Sequence, residues 1–370
     1  MSRKSRFARR LLAALLCAAA ALAVSAHEIR IGSSAALSGP AAGLGQRFHA
    51  GAAAYFTHLN QQGGIAGSRL VVDLLDDAYE ADRANANSRK LVEDPRVLAL
   101  FGYVGTPTSN MALPYVRRWK LPLVGAYTGA DVLREPYNPL IFNVRASYQE
   151  EARQLAVAMK ASGVRTLNVF YQADLFGRAG LEAMRSAATA VGIKILATAT
   201  VKRNTAQVDA EAAALSTGTP ADAIFMVSTY ASTAAFVRGA RENGFGGRFY
   251  TLSFAGLEQL RSALGKVHSK GLTIAQVVPD PEDRSIPVVA EYQQAMRDVG
   301  DKQFDSISLE GYLAARVMAE GLRRARQPLS RESVEQGLEA IGSLDLGGFH
   351  VQFGPGLRNG SSLVELRVLP

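Results

Sequence analysis

The spacing of apolar and polar residues between Glu28 and Asp77 changes from strand to helix and back to strand. It predicts a strand over 29–35, an amphipathic helix over 46–60 and a second strand over 69–75. Strand, helix and strand in this order form one βαβ unit. The polar loop at 37–40 therefore lies at the carboxyl edge of a parallel sheet, where ligands bind in such folds.

The same alternation continues through most of the chain. Further strands are predicted over 97–101, 121–125, 139–144, 166–171, 193–200, 221–227, 247–252 and 271–277. Further helices are predicted over 81–93, 108–119, 149–162, 177–191, 206–216, 232–244, 256–264, 287–299, 306–325 and 330–341. Such alternation is typical of an α/β fold with parallel sheets. Because one sheet rarely holds so many strands, we expect two Rossmann-like lobes with one sheet each.

The last part of the chain follows a different pattern. Residues 278–345 show helical spacing without new strands, and 350–353 and 363–369 predict two short terminal strands. Helices without strands must cover a sheet that already exists. We therefore place 27–146 and 278–349 in the first lobe and 147–277 and 350–370 in the second. The terminal strands should lie near the crossover or on the second lobe, which gives a hinge of three strands.

The first 26 residues have the pattern of a secretory signal peptide. Residues 1–10 are basic, 11–24 are apolar, and small residues precede a predicted cleavage site after Ala26. The apolar run has about 14 residues, whereas a membrane span needs about 20. We therefore expect export to the periplasm and no direct insertion of the mature protein into a membrane.

Removal of this segment changes the charge of the chain. It carries five of the 41 Lys and Arg residues and none of the 33 Asp and Glu residues, so the remainder has a net charge of +3 instead of +8. The densest remaining basic clusters, 117–120 and 323–326, fall on predicted helices, where exposed faces and last-turn cations account for them. Since a nucleic-acid interface needs a basic patch, we expect no nucleic-acid partner.

The single cysteine, Cys17, lies inside the signal segment. The mature protein is therefore predicted to lack disulfides although it enters an oxidising compartment. The alternative, a lipid anchor at Cys17, is disfavoured because Leu16 is bulky where lipid-modified signals have a small residue. We expect a monomer.

No sequence pattern assembles a cofactor, metal or catalytic site. The segment GLGQRF at 43–48 follows a strand like a dinucleotide fingerprint, but Phe48 stands where the third glycine is needed. The five histidines form no HExxH or i, i+4 pair, and no GxSxG motif is present. Asp73, Asp76 and Asp77 fit turn and cap contacts better than acid–base chemistry. We therefore predict no cofactor, no metal and no enzymatic activity.

Small, hydroxylic and aromatic residues recur directly after the predicted strands. In the first lobe, Thr106 to Ser109 open a helix, so their N–H groups and hydroxyls could bind a carboxylate. The alternative is simple N-capping by Thr108 or Ser109. The next strand is followed by 125–130, which holds Tyr127 and Thr128.

The second lobe repeats this arrangement, at 171–177, 228–232 and 252–254. Two facing sets of this kind can enclose a small ligand in a cleft that closes around it. Each aromatic residue taken singly is also compatible with a position in the core.

At these residues the sequence resembles a known family. The segments that carry the resemblance are SGPAAGLG at 38–45, NQQGGIAG at 60–67, DDAYEADRA at 76–84, GYVGTPTS at 102–109, DLFGRAG at 174–180, RGARENG at 238–244 and SLEGYLAARVMAEGLRRA at 308–325. They look like the type I periplasmic binding proteins of branched-chain amino acid ABC transporters. The resemblance implies two Rossmann-like lobes on a three-strand hinge, capture of a small ligand for a membrane permease, and no catalysis.

The resemblance also implies a set of ligand contacts. Leu44 would line the ligand side chain, and the hydroxyl of Thr106 would hold its carboxylate. Tyr127, Thr128 and Gly129 would supply backbone and hydroxyl contacts from the next loop. In the second lobe Phe176 would close over the ligand, together with Thr229 or Tyr230. Amino acid binders of this family have an acidic residue that pairs with the α-ammonium of the ligand, and its position falls near Ser253.

Two departures from this pattern bear on the ligand. No carboxylate stands near Ser253 in the sequence before Glu258, and Gly129 replaces a hydroxyl. A buried ammonium without a carboxylate would lose about 1.5–3 kcal/mol or more. We therefore expect a small aromatic or aliphatic carboxylate without an α-ammonium, and an amide is the alternative.

Two alternatives stay open. The first is a true branched-chain amino acid binder that uses an acid from elsewhere in the chain. The second is an exported sensing module that feeds a signalling system, because this fold also serves signalling.

Overall fold

The computed structural model describes residues 28–369, which form two large sheets and one small one. The strands are β1 Glu28–Ala35, β2 Arg69–Asp76, β3 Val97–Phe101, β4 Leu123–Val124, β5 Ile141–Phe142, β6 Thr166–Gln172, β7 Lys194–Val201, β8 Ala223–Val227, β9 Arg248–Thr251, β10 Leu272–Gln276, β11 Gly342–Asp345, β12 His350–Phe353 and β13 Glu365–Val368. The predicted signal segment lies outside the described residues.

Helices follow most strands of the two large sheets. They are α1 Ala42–Gln61, α2 Ala81–Glu93, α3 Thr106–Trp119, α4 Tyr148–Ala161, α5 Leu175–Val191, α6 Asp209–Ala213, α7 Tyr230–Glu242, α8 Leu257–Ser269, α9 Pro287–Asp298, α10 Ser306–Arg324 and α11 Arg331–Glu339. Short 3₁₀ turns cover Asp131–Leu133 and Ser253–Ala255, and a π-helical turn covers Ala214–Gly218. Between residues 28 and 369 no helix combines the length and apolar character that a membrane crossing requires.

The five-stranded first sheet has the order β2-β1-β3-β4-β5, and all of its pairs are parallel. The six-stranded second sheet has the order β13-β10-β9-β8-β6-β7, in which only β13 runs antiparallel. Central strands such as β8, with the sequence AIFMV, are buried at every position. Parallel sheets covered on both faces need such continuous apolar strands. We call each large sheet, with the helices packed on it, a lobe.

The chain passes between the two sheets three times. It leaves the first sheet after β5, returns after β10 and crosses again before β13. The prediction of two parallel α/β lobes on a three-strand hinge is therefore confirmed.

Helix α10 returns to cover the first sheet and packs directly on α1. A Cβ atom added at Gly51 would overlap the carbonyl oxygen of Ser308, and one at Gly311 would overlap the carbonyl oxygen of Phe48. The two helix backbones are therefore in contact where these glycines lie, and any side chain would push them apart.

The prediction that residues 278–345 contain no strand is wrong. Strand β11 pairs with β12 in a separate antiparallel ribbon, so β12 joins neither large sheet. The other terminal strand, β13, pairs with β10 of the second sheet. The exact domain boundaries given above stay a prediction.

Candidate ligand-binding site

Residues that follow strands of the first sheet contact residues that follow strands of the second. The Tyr127 hydroxyl, after β4, donates to the carbonyl oxygen of Ser253, after β9, at 3.4 Å. The Gln172 side chain, at the end of β6, donates to the Tyr79 hydroxyl at 3.3 Å. The carboxyl edges of the two sheets therefore face each other, and the residues between them form the candidate site.

The loop after β1 is held in place by carboxylates at the end of β2. Asp76 accepts from the backbone N–H groups of Leu37 and Ser38, at 2.9 and 3.2 Å. Asp77 accepts from the Ser34 hydroxyl at 2.7 Å. These are the turn and cap contacts expected of acidic residues at a strand end. They fix the start of α1, where Leu44 is buried.

Three hydroxyls form a connected set at the start of α3. Thr106 Oγ1 lies 2.7 Å from Thr128 Oγ1, and Thr128 Oγ1 donates to the Tyr148 hydroxyl at 3.2 Å. All three side chains are buried. The set can donate to an oxygen acceptor beside the N-terminus of α3, where the helix dipole favours negative charge.

Gly129 makes room for the third hydroxyl. A Cβ atom there would lie 2.8 Å from the backbone nitrogen of Tyr148, which donates to the Gly129 carbonyl oxygen at 2.8 Å. The lack of a side chain at Gly129 thus lets Tyr148 approach closely enough for its hydroxyl to accept from Thr128.

N-capping by Thr108 or Ser109 is not what the structure shows. Gly105 occupies the N-cap of α3 with φ +99° and makes no side-chain cap hydrogen bond. The Thr108 hydroxyl instead donates back to the carbonyl oxygens of Val104 and Gly105. The Ser109 hydroxyl is buried without a hydrogen-bond partner among the described residues.

Aromatic side chains from both lobes meet at Phe254. Its ring lies 5.3 Å from that of Tyr127 and 6.2 Å from that of Tyr79 in the first lobe. It also lies 4.4 Å from the ring of Phe176, which in turn packs against Tyr148 at 5.7 Å. Such aromatic pairs contribute about 0.5–1.5 kcal/mol each beyond their area burial. The lobes are therefore held together at the centre of the site by ring contacts.

A buried guanidinium lies next to this aromatic cluster. Arg145 follows β5, and its guanidinium lies 4.9 Å above the centre of the Tyr127 ring. Its Nη2 atom donates to the Ser253 hydroxyl and, at 3.2 Å, to Glu151. Its Nη1 atom lies 3.4 Å from a carboxylate oxygen of Glu310.

One of these acids, Glu151, also contacts Ser253. Glu151 accepts from the Ser253 backbone N–H at 2.7 Å and from its hydroxyl at 3.0 Å. A carboxylate and a guanidinium thus contact Ser253, and the second carboxylate, Glu310, contacts the guanidinium. These charges come from distant parts of the chain, which is the alternative of an acid from elsewhere, and the absence of an α-ammonium from the ligand stays a prediction.

Burial shifts the pKa values of these groups. Burial raises the pKa of Glu310 to about 7, although the Arg145 charge opposes this shift. Burial likewise raises the pKa of Glu151, against the opposing effect of Arg145. Burial disfavours the charged form of Arg145, but Glu310 and Glu151 outweigh it and raise its pKa. Arg145 therefore stays charged, and Glu310 is the member of the cluster that can titrate near neutral pH.

The two lobes also touch at the rim of the site, where Tyr230 reaches the first lobe. Its hydroxyl accepts from the backbone N–H of Gly43, the neighbour of Leu44, at 3.4 Å. Thr229 is buried, and its hydroxyl lies 3.4 Å from that of Ser232 in its own lobe. Of the two alternatives for this position, Tyr230 is the one that spans the lobes.

Two polar contacts flank the site on opposite sides. On one side Glu258 of α8 accepts from the backbone N–H and the hydroxyl of Ser306 at the start of α10, at 3.2 and 2.9 Å. On the other side Arg203 and Asn204 donate to the carbonyl oxygens of Tyr79 and Ala78, both at 3.1 Å. These contacts hold the edges of the lobes together.

Several of these residues were predicted as ligand contacts. Leu44, Thr106, Tyr127, Thr128, Gly129, Phe176, Tyr230 and Ser253 lie at the facing sheet edges, with Thr229 turned toward its own helix. Whether each of them touches a ligand stays a prediction.

The sequence reasoning missed Arg145, Glu151, Glu310 and Tyr148. Arg145 follows a strand and would have been found if charged residues had been sought there as well as hydroxylic and aromatic ones. Glu310 interrupts an apolar stretch of its helix, which is the other usable signal.

A family model described as periplasmic binding protein matches residues 28–361. The chain belongs to this family. A crystal structure of a possible leucine/isoleucine/valine-binding protein from Rhodopirellula baltica is 34% identical, with a TM-score of 0.87 over 93% of this chain and 94% of that one. A substrate-binding periplasmic protein from Ralstonia solanacearum is 33% identical, with a TM-score of 0.87 over 92% and 97%.

A curated relative, the Leu/Ile/Val-binding protein BraC3 of Rhizobium johnstonii, is 38% identical over 104 residues. That match covers 28% of this chain and only 27% of the relative. The family consists of binding proteins rather than enzymes, in agreement with the prediction, and it implies a periplasmic location.

Proposed function

We propose that this protein is the solute receptor of an ABC importer and binds a small carboxylate between its two lobes. The observation that carries the proposal is the connected hydroxyl set of Thr106, Thr128 and Tyr148 beside the aromatic cluster around Phe254. The hydroxyls and the N-terminus of α3 suit a carboxylate head group. The aromatic rings suit an aliphatic or aromatic body.

Binding requires the lobes to separate and close again, because the side chains of the site are buried against each other. Hinged domains that close around a ligand are a common device of this kind. A membrane permease that accepts only the closed, loaded form is the proposed partner.

The test is calorimetry on protein that has been unfolded, stripped of ligand and refolded. A panel of amino acids, aromatic acids and short-chain aliphatic acids identifies the class of ligand, since a ligand that binds only the folded state also raises the melting temperature. Binding of carboxylates without an amine supports the proposal. A receptor that ignores every carboxylate of the panel contradicts it.

The Thr106→Val substitution tests the hydroxyl set directly. It preserves shape but removes a donor to the carboxylate, so affinity should fall about tenfold or more, as expected for about 1.5–3 kcal/mol. Thr57→Val, the same change at an exposed position on α1, is the matched control. Equal affinities of the two variants would argue against a role for Thr106.

A second candidate is a receptor for branched-chain amino acids. It is favoured by the names of the relatives and by Glu310, whose carboxylate is held, within residues 28–369, only by the ion pair with Arg145 and could accept an ammonium. Tight binding of leucine without any response to acids that lack an amine would select this candidate.

A further inference from the structure

Arg145 has more donors than partners. Its side chain is 1% exposed. Within the described residues its Nε and Nη1 atoms make no hydrogen bond, whereas Nη2 is engaged by Ser253 and Glu151. Buried guanidinium donors are normally satisfied, because an unpaired buried donor loses the hydrogen bonds that it makes to water in the unfolded chain. Nε has no polar partner among the described residues, and Nη1 has only the ion pair with Glu310 at 3.4 Å, so both can donate to a further oxygen acceptor.

These donors lie beside the proposed carboxylate position. The guanidinium stands over the ring of Tyr127, and its charge also acts on Tyr148 of the hydroxyl set, where it opposes the rise in pKa that burial causes. From the opposite lobe Ser253 contacts the same guanidinium. A ligand whose carboxylate meets Thr106 and Thr128 would therefore present its neighbouring group to Arg145.

The charges around Arg145 limit what that group can be. Glu151 is already engaged by the Ser253 N–H, the Ser253 hydroxyl and Arg145 itself. Glu310 lies nearest to Nη1. A ligand ammonium at this place would approach a fixed guanidinium and leave its spare donors unpaired, whereas an oxygen atom would satisfy them.

We propose that Arg145 determines the specificity of the site by donating to an oxygen substituent next to the ligand carboxylate. The ligand class is then α-keto or α-hydroxy acids with an apolar side chain, in preference to the corresponding α-amino acids. The inference deepens the proposed function and rests on it. It assigns to Arg145 a specificity role that depends on its free donors.

Glu310 adjusts the charge of this position. The groups that face it are Arg145 after β5, Glu151 on α4, Arg134 after the 3₁₀ turn and Tyr127 after β4. With Glu310 protonated, Arg145 is balanced by Glu151 alone and accepts an anionic ligand more readily. Because the pKa of Glu310 is about 7, affinity for the acids should rise as the pH falls through about 7, and binding should take up protons.

The deciding experiment compares four ligands that share one side chain. These are α-ketoisocaproate, α-hydroxyisocaproate, leucine and isocaproate. Isocaproate has no substituent on the α-carbon, next to the carboxylate. The dissociation constants are measured by calorimetry with the refolded wild-type protein. The keto or hydroxy acid should bind at least tenfold more tightly than isocaproate, and leucine should bind most weakly. Leucine binding as tight as the keto acid overturns the inference but leaves the receptor function standing. If none of the four ligands binds, while other acids of the panel do, the inference falls and the receptor function again survives.

Two variants test whether the preference for the keto acid depends on Arg145 and Glu310. Arg145→Gln removes the charge and the spare donors, so the preference for the keto acid over isocaproate should disappear while isocaproate still binds. Retention of that preference by a folded Arg145→Gln protein overturns the assignment.

Since Arg145 is buried among charges, its variant could fail to fold, and Glu310→Gln provides a second measurement. That variant should bind the keto acid more tightly than wild type above neutral pH and lose the pH dependence, and an unchanged pH profile contradicts the role given to the cluster.

Discussion

Glu310 is a single residue whose titration should appear in the stability of the whole protein. Its pKa is raised by burial from an ordinary 4.5 to about 7 in the folded state. The unfolded state then releases its proton first, so the contribution of this group is most favourable below about pH 4.5 and is lost as the pH rises toward about 7. The loss amounts to no more than about 3 kcal/mol.

The Glu310→Gln substitution tests whether Glu310 destabilises the folded protein as the pH rises. Relative to wild type, the variant should gain stability between about pH 4.5 and about pH 8, because it has no proton to lose. Urea unfolding at the two pH values measures the difference. Glu332→Gln, at an exposed position on α11, is the matched control and should track wild type at both pH values.

Single residues also show how far sequence reasoning reaches. The rule that ligand contacts follow strands placed Thr106, Tyr127 and Thr128 correctly at the facing sheet edges. It gave no sign of the charged groups that contact Ser253, because Arg145 and Glu151 are 108 and 102 residues away in the chain. Periodicity and local motifs carry no information about which distant side chain fills a given space.

At the scale of elements, the contact between α1 and α10 depends on two glycines. Gly51→Ala places a methyl group against the backbone carbonyl of Ser308, which cannot move without shifting α10. Overpacking of this kind costs about 1–3 kcal/mol or more, so the midpoint of thermal unfolding should fall by several degrees.

The control for this substitution is Gly246→Ala. Gly246 is exposed, and a Cβ atom there meets no other atom within 4 Å. The Gly246→Ala substitution should leave the midpoint of thermal unfolding close to that of wild type. Equal midpoints for Gly51→Ala and Gly246→Ala would show that the helices can separate without cost.

Helices and strands were predicted best where the periodic spacing of apolar and polar residues extends over many residues. Helices such as α2 and α10 agree with the sequence prediction to within a residue, whereas β4 and β5 shrink to two residues each. The missed strand β11 has the sequence Gly-Ser-Leu-Asp, which lacks the β-branched and aromatic residues that mark strands. Its pairing with β12 decides its conformation, and no local signal anticipates that.

At the scale of the whole molecule, the contacts at the rim set the balance between open and closed lobes. Glu258→Ala removes the acceptor for the start of α10 without touching the central rings. We expect a larger radius of gyration by X-ray scattering and weaker ligand binding, because a smaller fraction of molecules is then competent to close. Saturating ligand should restore the compact form.

Ser262→Ala, one turn further along the same helix and exposed, is the control for Glu258→Ala. It should scatter like wild type with and without ligand. A Glu258→Ala protein as compact as this control would mean that the central ring contacts alone keep the lobes together.

Strand β13 covers one side of β10, whose five residues are all buried. Without β13 the backbone N–H and carbonyl groups along that side would have no partner in the sheet, and they would form an unprotected edge that a second chain can extend. The outer edge is instead the four-residue strand β13 with its charged Glu365 and Arg367, and a short charged edge strand resists such extension.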